Sequence, residues 1–279
     1  MQTKAMSDLT VSAGEAARRL GVGPTTIQRW VESGVLHAER TPGGHRRIYV
    51  TELRRLIAAN RPTELSGLLA DWLDVLMAGE PRKVKTALLA ARQKADSWAE
   101  TADEIASAIA ELGRRWEAGA CRIFEERSVS EALRRGAALC AAEMLCADHA
   151  PRVALFTVEG ERHTLGLSLA ELVFAEAGWR VFWLGEGPPS EELGPLVDKL
   201  KPHLLVVSAS SVTRAAAVAR YQAELTRVAA RTRVGLVLAG SGAWAPGRNA
   251  HRIVTFRELG AFLTGMRRRA HNKLIKQRL

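Results

Sequence analysis

Thr157-Val-Glu-Gly-Glu-Arg-His-Thr-Leu-Gly166 is a polar loop between an apolar strand, residues 153–158, and an amphipathic helix that begins near residue 167. A strand, a turn and a helix in this order open an α/β unit, and doubly wound sheets bind ligands at the carboxyl ends of their strands. The loop holds His163, with Glu161 two residues before it and Gly166 three residues after it. The chemistry of this stretch turns on whether His163 is a ligand or an ordinary loop residue.

Downstream, short apolar runs alternate with helical stretches. Residues 153–158, 180–184, 204–208, 234–239 and 252–254 read as strands; residues 167–177, 190–200, 215–231 and 257–268 read as helices. That alternation predicts a parallel sheet covered on both faces, and five strands over residues 151–268 suit a flavodoxin-like, Rossmann-type order. The loops after the first, third and fourth strands then bring Glu161, His163 and Gly166 to one edge with Ser208, Ser210, Gly240 and Gly242. Such small and polar residues leave room and backbone N–H groups for a ligand. A phosphate-binding loop is the alternative for residues 240–242, although the first strand is not followed by G-x-G-x-x-G and no Walker sequence occurs. The stretch 242–252 is short for a helix between the last two strands.

Upstream, residues 64–149 carry four helical stripes: Leu65 to Leu76, Val84 to Ala91, Trp98 to Trp116, and about Val129 to Met144. Short connections between them predict a four-helix bundle. Trp116 ends its stripe, and both a core position and one projecting onto a neighbouring domain stay open. The three cysteines, Cys121, Cys140 and Cys146, have no metal-ligand spacing and are expected to be buried thiols in helices.

The first 60 residues read as a winged helix-turn-helix head. Ser12 and Glu15 form a capping box for a helix ending at Gly21-Val-Gly23, and Pro24 opens a second helix that Gly34 ends. The second helix of such a unit enters the major groove by its amino-terminal residues, which points to Thr25, Thr26, Gln28 and Arg29, with Trp30 as the core anchor. Arg40-Thr-Pro-Gly-Gly-His-Arg-Arg-Ile-Tyr49 reads as a hairpin wing whose His45, Arg46, Arg47 and Tyr49 meet the DNA, largely through phosphates. Thr51 caps a further expected helix over residues 52–59.

Charge supports the head. Residues 1–60 hold nine Lys and Arg against five Asp and Glu, and residues 266–279 hold six basic residues and no acid, so the net +10 sits at the two ends. Concentrated positive charge is the footprint of nucleic-acid binding, and residues 269–279 read as a basic tail able to add phosphate contacts. No apolar run has membrane-spanning length and residues 1–10 lack a signal-peptide core, so a cytoplasmic protein without membrane contact is expected.

The head resembles the DNA-binding domain of MerR-family transcriptional regulators, chiefly through the Thr-Pro-Gly-Gly-His-Arg wing. Glu161-x-His163-x-x-Gly166, followed by Ser208, Ser210, Gly240 and Gly242, resembles the cobalamin-binding module of methionine synthase and methylmalonyl-CoA mutase. Head, bundle and module in this order resemble the CarH and LitR family of light-dependent repressors. The resemblance implies operator DNA as partner, adenosylcobalamin as cofactor, oligomers (dimer or tetramer) controlled by ligand state, and no enzymatic activity. It implies His163 as the lower axial ligand of cobalt, Glu161 as the carboxylate orienting it, and Ser208, Ser210, Gly240 and Gly242 around the nucleotide tail. The family's bundle motif is Trp, nine residues, then Glu-His. Trp116 and Glu126 match it, and Arg127 stands at the histidine. Two other expectations stay open: a MerR-type regulator whose pocket is empty or takes another tetrapyrrole or a protein, and a corrinoid methyl-carrier protein.

Overall fold

The computed structural model describes residues 10–20, 24–32, 36–40, 46–50, 67–117, 122–247 and 249–276. Two compact units result, one of residues 1–70 with 113–121 and the other of residues 71–112 with 122–279.

In the first unit, β1 (Thr10–Ser12) leads into α1 (Ala13–Leu20), followed by α2 (Pro24–Glu32), β2 (Ala38–Arg40) and β3 (Arg46–Tyr49). β3 lies between the other two strands and is antiparallel to both. The Ser12 cap is present: the Glu15 N–H donates to Ser12 Oγ at 3.2 Å, and the helix starts one residue after Ser12. Val11, Ala16, Ala17, Ile27, Leu36 and Ile48 form the core, and Trp30 packs against it as expected. β1 has no counterpart in the sequence reading, because three residues are too few to show a period. The predicted turns at 21–23, 34 and 42–44, the Thr51 cap and the helix over 52–59 lie outside the described residues.

The second unit holds most of the helices and the larger sheet. α3 (Gly67–Met77), α4 (Pro81–Lys94), α5 (Trp98–Glu117) and α6 (Ile123–Ala142) are the four predicted helices, and the ends of α3 and α5 belong to the first unit. Within their apolar stripes Leu76, Val84, Leu88, Ile105, Leu133 and Ala137 are fully enclosed. Gly136 lets α6 approach α4, since a Cβ there would stand 2.7 Å from Val84 Cγ1. α6 starts six residues before the sequence suggested. Its first turn carries exposed Ile123 and Phe124, so the buried stripe, which is what periodicity detects, begins only at Val129. Cys140 is buried as expected, and burial raises its thiol pKa to about 11. Cys146 departs from expectation: α6 ends at Ala142, which leaves Cys146 exposed in the following loop. Cys121 is outside the described residues.

β4 (Arg152–Glu159), α7 (Leu165–Glu176), β5 (Arg180–Gly187), a short turn of helix and α8 (Leu193–Leu200), β6 (Leu204–Ser208), α9 (Ala215–Thr232), β7 (Gly235–Ala239), β8 (His251–Ile253) and α10 (Phe256–Lys276) complete the chain. The strands are parallel in the order β5-β4-β6-β7-β8, the flavodoxin-like order. β4 lies between β5 and β6 and is buried on both faces: Ala154, Phe156 and Val158 join the core made with α8 and α9, and the alternate residues face the other way. This is why β4 reads as a continuous apolar run.

No helix lies between β7 and β8 among the described residues, in keeping with the shortness of that stretch. Side chains fasten it instead. The Gln222 amide donates to Ala245 O at 2.8 Å and accepts from the Ala245 N–H at 2.9 Å, and the Arg252 guanidinium donates to Leu238 O at 3.1 Å and to Gly240 O. α10 runs on as helix through Lys276, past the point where the sequence suggested a tail, because after Gly265 no glycine or proline interrupts it.

Two carboxylates join bundle to sheet domain. Glu176, closing α7, accepts from Arg92 at 2.7 and 2.8 Å and from the Trp98 N–H at 2.9 Å. Asp103, on α5, accepts from the Phe256 and Arg257 N–H groups at 2.8 and 3.1 Å, capping α10 from a distance of some 150 residues in sequence. Removing a cap costs about 1 kcal/mol. Asp103→Ala is expected to lower the unfolding free energy by about that much in urea denaturation, with far-UV circular dichroism otherwise unchanged.

Candidate functional site

The loop after β4 is organised by Glu161. The chain turns at Gly160, whose φ of +79° suits glycine, and Glu161 N–H closes onto Val158 O at 3.0 Å. Thr157, wholly buried at the end of β4, donates through its hydroxyl to Glu161 O at 2.5 Å and accepts from the Gly187 N–H at 3.2 Å. The Glu161 residue is thereby placed inside the protein, only 4% exposed.

Its two carboxylate oxygens divide the work. Oε1 accepts from the His163 N–H at 2.8 Å and meets His163 Nδ1 at 2.5 Å; Oε2 accepts from the Ser210 N–H at 3.2 Å and from the hydroxyls of Ser210 and Thr213. Burial alone would raise the pKa of this carboxyl. The donors from Ser210, Thr213 and His163 outweigh burial and hold it at about 2, so Glu161 is an anion at neutral pH. An ionised carboxylate only accepts, so Nδ1 of the neutral imidazole carries the proton and Nε2 carries the lone pair. The His163 side chain is 68% exposed, which leaves that lone pair open to a ligand.

Around this pair, Gly166 lies in the first turn of α7 with open space where a Cβ would be. Ser208 ends β6 beside Thr157 on one side and Ala239 on the other. The loop at residues 240–242 lies against residues 208–211: the Gly242 N–H donates to Ala209 O at 2.8 Å and the Ser211 N–H to Ser241 Oγ at 2.9 Å. Gly240 has φ +78°, and a Cβ on it would come within 2.4 Å of Ala209 O and 2.8 Å of Ser208 Oγ. The glycine is required by this close approach of two backbones.

On α6, Glu126 accepts from Ser130 Oγ at 2.8 Å and Arg127 is exposed. The backbone of Trp116 lies in the last turns of α5, and its side chain is outside the described set. Two site residues escaped the sequence reading. Thr213 could have been suspected as a fourth hydroxyl in Ser208-Ala-Ser-Ser-Val-Thr213, and Thr157 as the one hydroxyl within an apolar strand.

In the head, Thr25, Gln28 and Arg29 are exposed and Thr26 half-buried on α2, opposite the wholly buried Ile27. On β3, Ile48 points into the core, so Arg47 and Tyr49, its neighbours in the alternation, point outward. The Tyr49 hydroxyl donates to Glu39 Oε2 at 3.0 Å. Arg46 is described as backbone only, and His45 lies outside the described residues.

Residues 10–61 match the family described as helix-turn-helix domain. Over 245 residues the chain is 28% identical to the HTH-type transcriptional repressor CarH of Myxococcus xanthus, spanning 73% of this chain and 80% of that protein. The chain is similar to CarH. Among solved structures it is similar to the monomethylamine corrinoid protein of Methanosarcina barkeri, at 19% identity and a TM-score of 0.53, covering 70% of this chain and 94% of the other. That likeness is one of fold. A CarH-like chain thus combines a helix-turn-helix head with a helical and α/β region shaped like a corrinoid protein. No described helix is long and apolar enough to cross a membrane.

Two measurements test the site's geometry without any ligand. Multiple-bond ¹⁵N NMR is expected to show neutral His163 protonated at Nδ1, and Glu161→Ala should move the population toward Nε2–H. Gly240→Ala is expected to cost roughly 2 kcal/mol or more in chemical denaturation, from the left-handed backbone together with the contact on Ala209 O.

Proposed function

We propose that this chain is a DNA-binding transcriptional repressor that senses a cobalamin through His163. The observation that carries the reading is the Glu161–His163 pair: a buried anion fixes the imidazole by Nδ1 and leaves Nε2 free and exposed. This is the arrangement by which a carboxylate orients a metal-bound histidine and raises its basicity. Among the described residues no group of three His, Cys, Asp or Glu converges to hold a metal ion. A single histidine suits a metal that arrives in its own macrocycle, as cobalt does in a corrin. The residues therefore fit the group.

Adenosylcobalamin would supply a cobalt–carbon bond that light breaks. The protein's part is positional. His163 would hold the cobalt through Nε2, and the open space at Gly166 would leave room for the group. Ser208, Ser210, Gly240 and Gly242 would border the nucleotide tail. Trp116 and Glu126, the bundle residues that match the family motif, are the further positions this reading assigns to the cofactor. Arg127 cannot ligate cobalt, because its guanidinium stays protonated, so His163 is the one protein nitrogen this reading assigns to the metal. The protein binds and reads out, and the reading assigns it no catalysis. Thr25, Thr26, Gln28 and Arg29 would read operator DNA from the major groove, with His45, Arg46, Arg47 and Tyr49 on the backbone, in a dimer or tetramer whose assembly follows the ligand. The setting is the cytoplasm.

A second reading keeps the DNA binding without cobalamin, leaving the pocket empty or open to another tetrapyrrole or a protein. The packing of Gly240 and Gly242 on Ala209 favours it, since those glycines are then explained without a ligand.

The deciding experiment loads purified protein with adenosylcobalamin in darkness, gel-filters it, and records the visible spectrum and operator affinity before and after green light. Retention of one corrinoid per chain is expected, with His163→Ala weakening retention about tenfold or more. No retained corrinoid sinks the sensing claim; a bound cofactor with unchanged operator affinity in light sinks the light switch. Arg29→Ala is separately expected to weaken specific operator binding by about 1–3 kcal/mol, read by titration at fixed salt.

A further inference from the structure

At the amino edge of the sheet, the edge opposite His163, the second unit contains a groove of about 960 Å³ that the corrinoid reading does not use. It lies among the start of α5, the loop before β4, the end of α7 and the middle of α10. Its volume is that of a small-molecule site. Val173, Trp179 and Leu263 line it, each less than a tenth exposed, so an apolar body placed there would meet a fixed apolar surface.

The rim decides the charge of the occupant. Both carboxylates at its edge are already engaged: Glu176 with Arg92 and the Trp98 N–H, Glu100 with Arg257 at 3.5 Å and the Asp96 N–H at 3.1 Å. The positive side is not balanced in the same way. Arg267 lines the groove and makes no ion pair or hydrogen bond among the described residues. His203 lines it too; its Nδ1 accepts from the Arg152 N–H at 3.1 Å, which puts the ring proton on Nε2 as a spare donor.

We propose that this groove is a second ligand site, for an amphipathic carboxylate. Its apolar body lies on Trp179, Val173 and Leu263, and its carboxylate lies toward Arg267 and His203. The site is independent of His163, and its occupancy does not require a corrinoid.

Equilibrium dialysis of the full chain with naphthalene-2-carboxylate tests this, with naphthalene-2-carboxamide as the uncharged probe. One carboxylate per chain is expected, in wild type and in His163→Ala alike. The carboxamide, and the carboxylate with Arg267→Ala, should each bind about fivefold more weakly, the scale of one partly exposed charge contact. Ala261→Trp, at an exposed α10 position lining the groove, should block binding while leaving the circular dichroism unchanged. Absence of saturable binding, binding unaffected by Ala261→Trp, or a carboxamide as tight as the carboxylate would each overturn the proposal.

Discussion

A carboxylate with almost no exposed surface is the constraint on which the loops at the carboxyl edge of the sheet depend. Taking such an ion out of water costs several kcal/mol even after the protein relaxes. Glu161 tolerates this because donors from two loops meet it, two from His163 and three from Ser210 and Thr213. Hydrogen bonds to a charged group are the stronger kind, and several on one anion outweigh its desolvation. The same contacts that make the burial tolerable tie the loop after β4 to the loop after β6. An imidazole held by that anion has one tautomer and one free nitrogen, so the stability of the loop and the orientation of His163 have a single source.

The same device recurs where the bundle meets the sheet domain. Glu176 joins α4 and α5 to the end of α7, and Asp103 joins α5 to the start of α10. In each case a side chain answers backbone N–H groups that a helix start leaves unpaired. Apolar packing brings these helices together without much direction, and the carboxylates give each contact one position.

Much of this was legible beforehand. β4 announces itself because burial on both faces demands an unbroken apolar run, and the alternation of strands and helices implies the parallel order. The head was legible because Ser12, Glu15 and Pro24 act locally, within a few residues of where they stand. What escaped was set by distance or by exposure. The first turns of α6 carry Ile123 and Phe124 outward, and no periodicity marks an exposed apolar pair as helix. Cys146 looked like a helical thiol because nothing local shows that α6 stops at Ala142. Thr213 and Thr157 are ordinary residues until the fold brings them to Glu161.

By itself, then, the sequence determined the local chemistry: a helix-turn-helix head, amphipathic helices, five strands, and a Glu-x-His-x-x-Gly loop at a strand's carboxyl end. Those features follow from period, capping and backbone restriction, which operate over a few residues. Tertiary structure alone decided that Glu161 is a buried anion, because Ser210 and Thr213, the source of three of its five hydrogen bonds, lie some 50 residues away and its depth is a property of the whole sheet. It also decided which nitrogen of His163 is free, and that Gly240 answers to the backbone of Ala209. Contacts between distant segments carry no period along the chain; they exist only once β4, β6 and β7 lie side by side.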